Sequence, residues 1–224
     1  MKVFYINLEK RKDRKHHMEK MLSNLNLDYD RFEAINPTID KIKFGEFKKF
    51  YKKASPRFKK YVNTKETQPR AVGVFGVYIS ALRIHECQVG NSEPYIILED
   101  DVMITAKTLS QLNDFILNEK YKDWDIIRSL WGSTNKINKI HTVHYESKFS
   151  NQNPTSNLFG GAHFGVFRNA KKIVNYMSSE NLIAIDAVYS TSLLNVYHSK
   201  FDVNLRKSLG TDIPKIKTND KSQT

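Results

Sequence analysis

Residues 93–103 read Glu-Pro-Tyr-Ile-Ile-Leu-Glu-Asp-Asp-Val-Met, and no other stretch constrains the fold as strongly. Four apolar residues in succession, Tyr95-Ile96-Ile97-Leu98, fit a strand buried on both faces. Such a strand ends where the backbone leaves the core, and Glu99, Asp100 and Asp101 stand at that exit. In open α/β sheets, ligands bind at the carboxyl ends of the strands. Three adjacent carboxylates repel one another, and a divalent cation relieves the repulsion.

The 224-residue chain is long enough to bury a sizeable core, and 40% hydrophobic with 12% aromatic residues places it among globular proteins. No apolar run approaches the roughly 18–20 residues of a membrane span. The opening run Val3-Phe4-Tyr5-Ile6-Asn7-Leu8 is too short, and too soon followed by charge, for a signal peptide. A cytoplasmic protein is expected. The single cysteine, Cys87, excludes an internal disulfide and is expected as a small packed residue on a helix. A net charge of +12 asks for an anionic partner, whether nucleic acid, an anionic membrane surface or phosphorylated small molecules.

Residues 3–8 read as a buried strand. In the following helix, Met18, Met21, Leu22 and Leu25 share one face, and its first turns carry Lys10, Arg11, Lys12, Arg14 and Lys15. A helix start beside a sheet's carboxyl edge can bind anions, and arginines there can clamp phosphate; the alternative is a solvated basic face. Residues 29–35 alternate roughly and suggest a second strand. Residues 41–60 then hold nine Lys or Arg against one acid, Glu46. Phe44, Phe47 and Tyr51 fall on one helical face there. The segment 38–69 is a membrane-surface helix, a nucleic-acid patch, or a helical insertion whose aromatics face the core.

Farther on, Val74, Val77 or Tyr78, Ala81 and Leu82 predict a helix over 70–87, with His85 as a packing or surface residue. Leu109, Leu112, Phe115 and Ile116 predict another, and residues 124–130 a strand. Residues 134–156 look like a loop or irregular hairpin. A glycine-containing strand or hairpin is expected over 158–167, then a helix with Ala170, Ile173, Val174 and Met177 on one face. An apolar helical pattern is read through Leu193, Leu194 and Tyr197. Asp186 is an acid among apolar neighbours at an element boundary, fit for a helix N-cap or a functional carboxylate. The tail 218–224 is polar and expected to fray.

Several stretches together resemble glycosyltransferase family 25, which includes lipooligosaccharide and procollagen galactosyltransferases. They are Tyr5-Ile6-Asn7-Leu8-Glu9-Lys10-Arg11-Lys12-Asp13-Arg14, Arg31-Phe32-Glu33-Ala34-Ile35-Asn36, residues 73–80, Leu98-Glu99-Asp100-Asp101-Val102, residues 160–170, Ile185-Asp186 and Leu209-Gly210-Thr211-Asp212-Ile213. The matches are collinear. At one position the chain departs, with Ala81 where the family usually has histidine.

The resemblance implies a GT-A-like, Rossmann-related fold: a mixed, mostly parallel sheet flanked by helices, forming a single domain over 1–217. It implies a nucleotide-sugar donor such as UDP-galactose or UDP-glucose, a saccharide or glycoconjugate acceptor, and Mn²⁺ or Mg²⁺. Asp101 would ligate the metal with help from Glu99; Asn7, Leu8, Arg11, Arg14, Glu99 and Asp100 would face the donor. For an inverting transfer the base would be Asp186, with His163 in reserve. Peripheral contact with an anionic membrane is a further expectation. Two other readings stand beside this one: a Mg²⁺-dependent nucleic-acid enzyme or binder, disfavoured because the basic residues cluster ahead of the acidic strand, and an inactive relative acting as a binding module.

Overall fold

Strand β1 (Lys2–Asn7) lies between β2 (Tyr29–Glu33) and β3 (Tyr95–Glu99), parallel to both. The structure is a computed structural model that describes residues 1–37, 45, 47–48, 52, 68–117, 123–129, 144–146, 164–179, 185–189, 194–199, 201 and 203–205. Beyond β3 come β7 (Phe164–Phe167), β5 (Ile126–Ser129), β8 (Val196–Ser199) and β6 (His144–Glu146), completing the order β2-β1-β3-β7-β5-β8-β6. β7 runs antiparallel to β3 and β5, and β6 antiparallel to β8; the other pairings are parallel. The mixed, mostly parallel sheet flanked by helices that the resemblance implied is the sheet observed. A separate short ladder joins β4 (Val102–Met103) to β9 (Asn204–Leu205).

The side chains of β3 alternate between two cores, as an apolar run covered on both faces must. Ile96 and Leu98 pack with Met18 and Leu22 of α1 (Lys12–Asn24) and with Leu112 and Phe115 of α3 (Ala106–Leu117). Tyr95 and Ile97 pack with α2 (Gln68–Cys87), α4 (Ala170–Ser179) and α5 (Ile185–Val188). Burying each such large apolar side chain contributes about 1.5–3 kcal/mol. In α1 the buried stripe is Arg14, Met18 and Leu22, so an arginine occupies one position of an apolar face.

Gly76 brings α2 hard against the segment after β2. A Cβ there would stand 2.6 Å from the Ile35 carbonyl oxygen. Next to it Ser80 Oγ donates to the Gly76 carbonyl at 2.6 Å and accepts the Ile35 N–H at 2.9 Å. Glycine and serine one turn apart thus fix where β2 hands over to the insertion.

Four sequence expectations change. The helical pattern through Leu193, Leu194 and Tyr197 is overturned: Val196–Ser199 is β8, paired with β5 from Ile126↔Val196 to Ser129↔Ser199. A short apolar run satisfies either period, and pairing with a buried strand decided it. Cys87 is exposed at the last position of α2 rather than packed. The buried face of α2 runs through Val72, Phe75, Tyr78, Ala81 and Ile84, leaving Val74, Val77 and Leu82 only partly buried. Within 134–156, residues His144–Glu146 form an edge strand. Of residues 38–67 only Gly45, Phe47, Lys48 and Lys52 are described, all at helical positions; Phe47 is buried with its ring 5.7 Å from Phe75, while Lys48 and Lys52 are exposed. The tail 218–224 lies outside the described residues.

Candidate active site

β1 leads to β2 on one side, and the chain then crosses to β3 on the other. The strand order therefore reverses between β1 and β3, the position at which open α/β sheets bind ligands beyond the carboxyl ends. The register pairs Ile6 with Glu99, so Asn7-Leu8 and Asp100-Asp101 leave the sheet side by side.

Asn7 joins the surrounding elements. Its Nδ2 donates to Asp100 Oδ2 at 2.8 Å and to the Arg11 carbonyl at 3.2 Å. Its Oδ1 accepts from Arg31 Nε of β2 at 3.1 Å, and Arg31 reaches on to Glu9 at 2.6 Å. The side chain is almost fully buried, and every bond requires the amide oriented this way.

Asp100 faces inward. Arg14 Nη1 donates to its Oδ1 at 2.5 Å and lies 3.7 Å from Asp101 Oδ2. Burial pushes the Asp100 carboxyl above its ordinary range, while the bonds from Arg14 and Asn7 pull the other way. Arg14 is 7% exposed, its guanidinium occupied by the acidic turn. Glu99 closes β3 on the Tyr95–Ile97 face, half-buried, and the side chain of Asp101 is 17% exposed. Glu99 thus ends the strand on the α2 face, while Asp100 and Asp101 lie in the turn that follows, both within reach of Arg14.

Leu8 is half-buried, and its carbonyl accepts the Arg11 N–H at 2.9 Å. Arg11 grips Asp13 with two bonds of 3.0 and 2.9 Å, and this guanidinium holds the Asp13 carboxyl down at about 2. Asp13 also stands in the first turn of α1, where the helix dipole favours an anion. Behind the turn, His17 Nε2 meets the Val102 carbonyl at 3.2 Å and ties α1 to β4.

Asp186 is the second residue of α5, its side chain outside the described residues, and His163 lies outside them altogether. Asn7, Leu8, Arg11, Arg14, Glu99, Asp100 and Asp101 are brought together. Arg31 was not anticipated, nor was Arg128, a buried cation on β5 that donates to the Tyr189 carbonyl at 3.0 Å. A charged residue inside the apolar run Ile126-Ile127-Arg128 was the available signal.

Among the described residues, no three His, Cys, Asp or Glu side chains converge to hold a metal. Glu99 and Asp101 are two carboxylates two positions apart where β3 ends. Mg²⁺-like cations are held by one or two carboxylates plus phosphate oxygens and water, so this set fits such an ion.

The sheet is an open, Rossmann-like α/β sheet with the buried Asp100 braced at its switch point, the place where such sheets bind ligands. The profile of glycosyltransferase family 25 (LPS biosynthesis protein) matches residues 1–178, and the chain belongs to that family. It is a glycosyltransferase. Among solved structures, it is similar to UDP-glucose pyrophosphorylase complexed with UDP-glucose, at 10% identity over 91% of each chain and a TM-score of 0.50, a likeness of fold. A glycosyltransferase involved in glycosylation of the major capsid of PBCV-1 aligns at 11% identity over 80% of this chain and 67% of its own, with a TM-score of 0.36. No curated protein matches in sequence.

Proposed function

We propose that the protein transfers a hexose, galactose or glucose, from a UDP-sugar to a saccharide or glycoconjugate acceptor with inversion at the anomeric carbon. The observation that carries this reading is the β1–β3 switch point, where Asn7 and Asp100 lock together two strand ends bearing Leu8 and Arg11 on one side and Glu99 and Asp101 on the other.

In this reading Leu8 and Arg11, on the turn into α1, lie along the donor. Asn7 and Arg14 act from behind by fixing the acidic turn. Asp101, with Glu99, would hold Mn²⁺ or Mg²⁺, which when bound supplies positive charge against the leaving diphosphate. Asp186 takes the proton of the acceptor hydroxyl as its oxygen bonds to the anomeric carbon. The bond from that carbon to the diphosphate oxygen breaks, and the electron pair leaves with the diphosphate. His163 is the reserve base.

The test is to incubate the protein with Mn²⁺ and a panel of UDP- and other nucleotide-sugars and to measure released nucleotide. Metal-dependent release from UDP-galactose or UDP-glucose is expected. No response to any donor, together with tight salt-dependent nucleic-acid binding, would overturn the reading.

Among the described residues, no helix is long and apolar enough to cross a membrane. The exposed Lys48 and Lys52, on a segment whose Phe47 is buried, support peripheral docking on anionic lipid. Neutralising Lys48, Lys49, Lys52 and Lys53 is expected to weaken binding to phosphatidylserine-containing liposomes and leave nucleotide release intact. Unchanged liposome binding removes the docking idea.

A further inference from the structure

A chain of polar groups crosses the core on the α2 face of the sheet. His85, fully buried on α2, has its Nδ1 2.7 Å from the Tyr95 hydroxyl and its Nε2 2.8 Å from the Tyr189 hydroxyl. Phe167 of β7 packs edge-on against the imidazole with ring centroids 4.8 Å apart. Tyr189 directly follows α5, and its N–H closes the helix on the Ile185 carbonyl at 2.9 Å. From the other side Arg128 donates to the Tyr189 carbonyl. Both ends of this residue, hydroxyl and backbone, are therefore held by buried partners on α2 and β5.

Burial is the main cause raising the Tyr189 hydroxyl well above its ordinary pKa; Tyr95 beside it raises it further, while Arg128 lowers it. Through His85 the tyrosine is joined to Tyr95, the first residue of β3, the strand that ends at Glu99. A core hydrophobe at position 85 would fill the space but leave the buried Tyr95 and Tyr189 hydroxyls without this partner. A histidine satisfied on both nitrogens fixes direction as well as volume, because a neutral ring donates from one nitrogen and accepts at the other. Burial keeps it neutral, holding its pKa down at about 3.

We propose that His85 is a positioning residue for sugar transfer: by bridging Tyr95 of β3 to Tyr189, it sets where α5 and Asp186 stand relative to Glu99. The inference rests on the assignment of Asp186 as the base. His85 touches no substrate; it acts through α5.

The experiment compares His85→Phe, His85→Gln, Tyr189→Phe and Asp186→Asn, with UDP-galactose and UDP-glucose as donors and Mn²⁺ present. Nucleotide release supplies kcat and donor KM, and hydrogen exchange follows residues 185–189. His85→Phe and Tyr189→Phe are expected to lose on the order of 10- to 100-fold in kcat, as misplacement of a reacting group does, with donor KM nearly unchanged. Exchange at residues 185–189 should accelerate, and His85→Gln should recover most of the rate. Tyr189→Phe removes only a hydroxyl, so it carries the test should His85→Phe fail to fold. Normal release by Asp186→Asn removes the base assignment and this proposal with it. A slow Asp186→Asn beside wild-type kcat in His85→Phe or Tyr189→Phe removes the proposal alone. A parallel rise in donor KM would also overturn it, since the defect would then be general.

Discussion

Asn7 Nδ2 and Asp100 Oδ2 lie 2.8 Å apart, joining positions separated by 93 residues across the carboxyl ends of two parallel strands. Asp100 accepts from Arg14 as well, so one carboxylate ties β1, α1 and the acidic turn together.

Breaking one partner of a buried ion pair leaves an uncompensated charge in the core. Arg14→Met is therefore expected to destabilise the protein by about 3–5 kcal/mol. Urea unfolding measures it, and a change below about 1 kcal/mol would show that the pair is solvated in solution. Arg11→Met is the control, because its partner Asp13 is exposed; its urea midpoint should not move.

The triplet should divide by function. Asp101→Asn is expected to fold normally and to lose metal-dependent nucleotide release by roughly 100-fold, the equivalent of about 2.7 kcal/mol of charge stabilisation. Asp100→Asn should instead lower the thermal midpoint. The assay pairs a melting curve with nucleotide release for each variant; identical phenotypes would refute the division. Adding EDTA to the wild type should reproduce the Asp101→Asn rate.

Stability should fall with acid through His85. Burial lowers its pKa from 6.5 to about 3, so between those values the unfolded chain binds a proton that the folded protein refuses. The contribution is present above about 6.5 and is lost as pH falls toward 3, at up to about 1.4 kcal/mol per pH unit. The groups facing the ring, Tyr95 and Tyr189, stay neutral throughout this range because burial raises both. Urea unfolding at pH 7, 6 and 5 should show the slope in the wild type and a shallower one in His85→Gln.

Gly76→Ala places a methyl group 2.6 Å from the Ile35 carbonyl, a backbone atom that cannot rotate away. Overpacking of this kind costs about 1–3 kcal/mol. A thermal midpoint equal to that of wild type would mean that α2 shifts freely against the β2 exit.

What could be read in advance was local. The apolar run at Tyr95–Leu98 and the acids after it lie within seven residues, and the two-faced burial they implied is what β3 shows. Arg14 was read with its basic neighbours as facing phosphate, although its spacing to Met18 and Leu22 already placed it on the buried stripe. Composition hid what the helical period disclosed. His85 and Tyr189 are 104 positions apart, and no local pattern reports such a meeting. Val196–Ser199 carried too few residues for its period to separate strand from helix, and its partner Ile126–Ser129 made the choice.

The order β2-β1-β3 also bears on synthesis. As the chain emerges, β1 can pair with β2 early, but its other edge waits until residues 95–99 have left the ribosome. During that interval the backbone of Lys2–Asn7 presents an open strand edge, the kind of surface on which chains join one another. The nascent chain is therefore most exposed to misassembly while α2 is being made, and the crevice between the ends of β1 and β3 comes into being in the same event that closes that edge.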